Sequence, residues 1–224
     1  MAPPHDREPR ERLILFTRYP RAGTTKTRLI PVLGAQGAAD LQRRMTQRIL
    51  EAARRVAEQR SLVIEVDYSG GDMAAMAQWL GSDLEYRPQS SGDIGRRMAA
   101  ALTWALTPPR QTAVLMGTDI PDITPEIITC AFDRLRQTDL VLGPTRDGGY
   151  YLIGMTSQSA SRLLPRIFEG IAWSTPTVVA ATREIARRLG ATMTELPLLR
   201  DVDRPEDLAE WDRCCVRNGF RNGG

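Results

Sequence analysis

Short apolar runs alternate with amphipathic stretches along this chain, and that alternation leaves it few folds. Leu13-Ile14-Leu15-Phe16 reads as a first strand, Leu62 to Val66 as a second, Leu84 to Arg87 as a short third and Ala113 to Met116 as a buried strand ending at Gly117. Between them, Ala38 to Ala57, Asp72 to Leu80 and Ile94 to Leu106 carry helical spacing. Thr124-Pro125-Glu126 opens a further helix, with Thr as the cap and Pro at the first helical position. Asp139 to Leu142, Tyr150 to Gly154 and Ala191 to Glu195 read as later strands. Thr175-Pro176 starts a helix to about Leu189, and Pro205 to Arg217 forms the last one. Strands alternating with helices call for a parallel sheet covered on both faces.

The 224 residues suit one α/β domain over residues 12–218, with polar tails at 1–11 and 219–224 expected to be disordered. Hydrophobic residues at 42% and charged residues at 25% are globular proportions, which excludes a largely disordered chain. Cys130, Cys214 and Cys215 form neither a disulfide framework nor a CxxC zinc pair. No apolar run is long enough to span a bilayer, and the first residues lack the apolar core of a signal peptide, so a cytoplasmic location is expected. A net charge of +3, spread over helices with no basic block and interleaved aromatics, gives no reason to expect a nucleic-acid partner.

The only histidine, His5, lies in the N-terminal tail, which removes Ser-His-Asp and Cys-His catalysis and His-ligated zinc. Carboxylates, arginines, a bound metal and one lysine remain. Among 30 Lys and Arg residues Lys26 is the single lysine, a compact and flexible charge that Arg does not replace. It sits in the loop after the first strand with Gly23 and Arg28, where backbone N–H groups and cations can wrap a phosphate. A P-loop requires Gly directly before the Lys, and Thr25 stands there, so a Walker-type NTPase is disfavoured. Open α/β sheets bind ligands beyond the carboxyl ends of their strands. Asp119, just past the strand Ala113 to Met116, is placed there to hold Mg2+ or Mn2+, which takes few protein oxygens plus substrate phosphates. Asp201 and Asp203, two apart, point to one side of an extended segment, and either can complete the site or cap the last helix. Asp147-Gly148-Gly149 is a turn whose glycines permit close approach of a ligand.

Several stretches, taken in order, resemble a known family: Phe16 to Pro20 with Lys26 to Leu29, Gln89 with Gly92 to Met98, and Gly117 to Asp122. They continue with Leu142 to Pro144, Asp147 to Gly154, Phe168 with Ile171 and Trp173 to Thr175, and Asp201 to Asp203 before Pro205 to Leu208. The set resembles the DUF2064 family of candidate glycosyltransferases in the nucleotide-diphospho-sugar transferase (GT-A-like) superfamily. The resemblance implies a single-domain three-layer α/β/α sandwich with a mainly parallel mixed sheet. It also implies that Asp119 and Asp203 hold the metal, that Lys26 and Arg28 meet the nucleotide phosphates, and that Gln89 and Gly92 line the base and ribose pocket. Asp147 to Gly149 then face the acceptor or sugar, with Asp147 as a general base. The first loop lacks the Gly-rich opening of sugar nucleotidyltransferases, and Thr118-Asp119 stands in place of a full Asp-x-Asp. Three readings remain at this point: a metal-dependent glycosyltransferase using a nucleotide-sugar; a nucleotidyltransferase joining an NTP to a phosphorylated small molecule and releasing pyrophosphate; and a non-catalytic nucleotide-binding protein.

Overall fold

The structure, a computed structural model, describes residues 11–108 and 111–217; of the tails expected at 1–11 and 219–224, all but Glu11, which opens the first strand, lie outside the described residues. Among the described residues seven strands form one sheet: β1 (Glu11–Arg18), β2 (Leu62–Ser69), β3 (Glu85–Pro88), β4 (Thr112–Gly117), β5 (Leu140–Pro144), β6 (Tyr150–Thr156) and β7 (Met193–Glu195). Their order is β3-β2-β1-β4-β6-β5-β7. Only β6 runs antiparallel to its neighbours, because a tight turn joins it to β5. The remaining pairs are parallel, so the expected mainly parallel mixed sheet is what forms.

Parallel strands buried on both faces need helices on both faces. Leu13, Leu15, Val114 and Met116 point into one core, closed by α1 (Ile30–Ala57), α2 (Met73–Leu80) and α4 (Pro125–Arg134). Ile14, Phe16, Ala113 and Leu115 point into the other, closed by α3 (Ile94–Ala105), α5 (Ser157–Leu163) and α6 (Val178–Arg188). A smaller cluster joins Leu29, Leu41 and Met45 to Val202 and to Trp211 and Cys215 of α7 (Leu208–Arg217).

Several boundaries differ from the sequence reading for local reasons. α1 begins at Ile30 rather than Ala38, with Pro31 in its first turn and a break at Gly34, where φ is 70° and ψ 166°. α5 was not foreseen; Thr156 and Ser159 cap it reciprocally. Thr175-Pro176 forms a turn before α6 instead of its first residues, because the Pro176 carbonyl packs on Gly148. Pro205–Asp207 is a single 3-10 turn that precedes α7.

Under α3, at the β3 edge of the sheet, lies a buried group of charges. Arg12 pairs with Glu65 and Glu85, and Arg87 pairs with Glu65 and Asp67 while its guanidinium covers the Trp104 ring at 5.2 Å. Glu85 meets Arg12 from the solvent side and is half-exposed, whereas Glu65 and Asp67 are both buried and share the part-buried Arg87, so two carboxylates stand together away from water. Burial, and then the adjacent Glu65, push the Asp67 carboxyl up to about 7, against a smaller lowering by Arg87. The folded state therefore keeps a proton that the unfolded chain has lost. This stabilisation is complete below the unfolded carboxylate value near 4 and is lost as pH rises toward 7. Asp67→Asn removes the titration: urea unfolding from about pH 4 to about pH 7 should show stability falling more steeply in wild type than in the variant. Equal slopes would contradict the assignment.

Candidate functional site

The carboxyl ends of β1 and β4 lie side by side, with Phe16 opposite Gly117. Alternation sends Phe16 and Gly117 toward α3, and Thr17 and Thr118 toward α1. A cavity of about 470 Å³ opens across these ends, between Gln42 of α1 and Ile94 of α3, with the first loop on one side. A second cavity of about 680 Å³ adjoins it, walled by Arg146, Asp147, Tyr150, Trp173 and Asp201. Arg28, Ile94, Asp119 and Asp203 line both.

The wall between the cavities is built on Lys26. Its buried ammonium donates to the Val202 carbonyl at 2.7 Å and pairs with Asp119 at 2.9 Å and Asp203 at 3.8 Å. Arg28 pairs with Asp203 from the solvent side. Val202 is held on three sides: its side chain sits in the third hydrophobic cluster, its N–H donates to the Asp119 carbonyl at 2.9 Å, and its carbonyl takes Lys26. The extended chain then presents Asp201 and Asp203 to the cleft. Of the two capping candidates, neither caps the last helix; Asp207 accepts from the backbone of Asp203 and Arg204. Burial, followed by Asp147, Asp207 and Asp119, pushes the Asp201 carboxyl up to about 6.

Lys26 adopts the left-handed conformation, φ 48°, and Ser174 in the larger cavity does so as well, φ 63°. They are the non-glycine residues with positive φ among the described residues. Such strain, on the order of 1–3 kcal/mol each, concentrates where surrounding structure fixes a functional geometry.

The other sequence candidates fall as follows. Asp147 accepts from the Thr145 hydroxyl and from the Gly149 N–H at 3.1 Å through Oδ1, which leaves Oδ2 for the larger cavity. Gly149 lines that cavity, whereas Gly148 serves packing: at φ 89°, an added Cβ would stand 2.0 Å from the Pro176 carbonyl oxygen. Gln89 lines the smaller cavity while donating to the Asp67 and Thr17 carbonyls at 2.9 and 3.3 Å. Gly23 and Gly92 have positive φ but line neither cavity. The sequence reading gives no role to Thr17, Gln42 and Thr46, which with Thr118 form a buried polar group between α1 and the strand ends. A signal existed: Gln42 and Thr46 interrupt the apolar stripe Ala38, Leu41, Met45, Ile49. At Gly117, the strand end that opens the stretch Gly117 to Asp122, an added Cβ meets nothing within 4 Å, so its bareness opens the cleft floor.

A covered, mainly parallel sheet with its polar cleft at the strand ends defines a transferase of the nucleotide-diphospho-sugar transferase fold. The chain belongs to the DUF2064 family, described as "Uncharacterized protein conserved in bacteria", whose model matches residues 49–175. It is 33% identical to a candidate nucleotide-diphospho-sugar transferase from Desulfovibrio desulfuricans G20, with a TM-score of 0.86 over 96% of this chain and 91% of that one. It is 27% identical over 190 residues to phosphoenolpyruvate guanylyltransferase of Chloroflexus aggregans (strain MD-66 / DSM 9485), covering 83% of this chain and 90% of that protein. In fold alone it is similar to a Mycobacterium tuberculosis H37Rv protein solved in complex with manganese, at 16% identity and a TM-score of 0.57 over 90% of this chain and 97% of that one. No helix among the described residues is long and apolar enough to cross a membrane.

The Lys26 arrangement has a direct test. Lys26→Met leaves the Val202 carbonyl without its donor and two carboxylates without their shared cation. Half-exposure of Asp119 limits the cost to about 1–3 kcal/mol of unfolding free energy in urea. An unchanged midpoint would show that Lys26 holds nothing together.

Proposed function

We propose that the protein transfers a nucleotidyl group from a nucleoside triphosphate to a small acceptor. The triphosphate lies in the smaller cavity, the acceptor in the larger one, and reaction takes place at their common wall. The observation that carries this reading is that wall: Lys26, Arg28, Asp119 and Asp203 gather where the two cavities meet. The similarity to a named guanylyltransferase over most of the chain supports nucleotidyl transfer and makes GTP the first donor to test.

An acceptor oxygen attacks the α-phosphorus, a new P–O bond forms, and the bond to the bridging oxygen breaks. Pyrophosphate leaves with that electron pair. Lys26 and Arg28 set positive charge beside the phosphate chain, where the leaving oxygens gain negative charge. A phosphate or carboxylate acceptor brings no proton to remove; a hydroxyl acceptor would give its proton to the free Oδ2 of Asp147. Gly149 and Trp173 shape the acceptor side, with Gly148 behind them allowing Pro176 to pack, and Gln89 shapes the nucleoside end.

The donor set suits Mg2+ or Mn2+. Asp119 and Asp203 converge on Lys26, Arg28 also pairs with Asp203, and Asp147, Asp201 and Asp207 lie close by, so hard oxygens gather where the two cavities meet. No group of three His, Cys, Asp or Glu side chains among the described residues is arranged to hold a metal, so an ion held by Asp119 and Asp203 would need further ligands from substrate phosphates and water. When bound, the ion neutralises phosphate charge. Glycosyl transfer from a nucleotide-sugar is the second reading, favoured by the 33% identity to a candidate nucleotide-diphospho-sugar transferase and by Trp173, a ring surface in the larger cavity.

Thermal shift with GTP, the other triphosphates and nucleotide-sugars, each with Mg2+ or Mn2+, separates these readings. GTP at about 100 times its dissociation constant should add about 3 kcal/mol. Pyrophosphate should then appear with an acceptor such as phosphoenolpyruvate, and Asp119→Asn should abolish both effects. Gly117→Ala should unfold at or above the wild-type midpoint and lose the nucleotide shift, since its methyl enters the cleft rather than the core. Stabilisation by a nucleotide-sugar without pyrophosphate release would transfer the case to glycosyl transfer.

A further inference from the structure

Gln42 is buried on α1, yet it lines the smaller cavity. Three hydroxyls form a triangle beneath it: Thr17 to Thr46 at 3.1 Å, Thr46 to Thr118 at 3.2 Å and Thr118 to Thr17 at 3.0 Å. Three contacts need three protons, and three hydroxyls own three, so the triangle uses its entire supply in either direction. The Gln42 amide lies 3.1 Å from both Thr46 and Thr118. With no hydroxyl proton left over, it must be the amide that donates, so Nε2 faces the threonines. The flipped amide would satisfy fewer contacts, because a hydroxyl would have to leave the triangle to donate to Oε1.

Oε1 is then the atom left over. It has no protein donor among the described residues and is not among the sealed, unpartnered atoms of the interior, which places it toward the cleft. A carbonyl oxygen held this way accepts one N–H or O–H, and leaving it unmatched on ligand binding is costly. Ionised phosphates offer no such proton. Lys26, Arg28 and Asp119 stand at the phosphate end of the cavity, and Ser69 and Gln89 line its opposite wall, beyond the ends of β2 and β3. Gln42 lies between, against Thr17 and Thr118 at the ends of β1 and β4.

We infer that Gln42 is a specificity-determining residue of the donor site, whose Oε1 accepts a hydrogen bond from the nucleoside, either a ribose hydroxyl or the exocyclic amino group of the base. This rests on the nucleotide reading. The hydroxyl triangle supports the residue from below: it takes both amide protons and holds the amide plane, so recognition requires no rearrangement at the moment of binding.

The experiment measures dissociation constants of GTP, 2′-deoxy-GTP, 3′-deoxy-GTP and ITP, with Mg2+, for wild type and Gln42→Met, together with both unfolding midpoints. Wild type should bind one analogue about threefold to tenfold more weakly than GTP. A deoxy analogue as the weak binder identifies a ribose hydroxyl, and ITP identifies the base amino group. In Gln42→Met that one ratio should collapse toward unity while the others hold. A purely structural Gln42 would weaken all four ligands by the same factor and leave every ratio intact, and that result overturns the inference. So does a wild type that binds all four alike. In either case GTP still binds, so the nucleotide reading survives. A wild type that binds no triphosphate overturns both.

Discussion

One ammonium group organises the functional end of this molecule. Lys26 reaches 176 residues along the sequence to the Val202 carbonyl and there meets Asp119 and Asp203. A surface ion pair contributes little, but this ammonium is buried and also satisfies a carbonyl, so its loss would leave the Val202 carbonyl and Asp119 unmatched and Asp203 with Arg28 alone. The contact ties the first loop to the end of β4 and to the segment before α7, three pieces distant in sequence. Left-handed backbone at Lys26 is tolerated because those pieces determine where the side chain must go.

The sheet supplies the rest by alternation. At the adjacent ends of β1 and β4 one pair of residues, Phe16 and Gly117, turns toward α3, and the next pair, Thr17 and Thr118, toward α1. The cleft therefore has a bare, apolar floor on one side and a hydrogen-bonded hydroxyl floor on the other. Its carboxylates come from two sources, the end of β4 and the crossing segment 201–203, and the N–H of Val202 donating to the Asp119 carbonyl holds those two in register. The charges under α3 lie on the same sheet but belong to folding; they touch the cleft only through Gln89, which donates to the backbone of Asp67.

Much of this was legible in the sequence, because it follows from local chemistry. Apolar runs gave the strands, Pro and Thr marked the start of α4, and a solitary lysine among arginines pointed to the first loop. The crossing of the chain from β7 to Asp119 was not legible, since it depends on Val202 finding a core shared by α1 and α7. Nor was the packing of Pro176 on Gly148, which displaces the start of α6. Gln42 was missed because a polar residue on an apolar helix face acquires meaning only when its partners, Thr17 and Thr118, arrive from other elements. Asp119 and Asp203 were picked out as a pair, and the structure brings them together; that Lys26 stands between them could not be read from spacing.

The most direct test of a two-cavity transferase with its reacting centre on the Lys26 wall is a crystal structure with Mn2+ and a non-hydrolysable GTP analogue, using anomalous scattering to locate the metal. The account predicts a manganese peak within coordination distance of Asp119 and Asp203, phosphates against Lys26 and Arg28, and the nucleoside over Gly117 beside Gln42. A nucleotide seated in the larger cavity, or manganese bound away from Asp119, would contradict it.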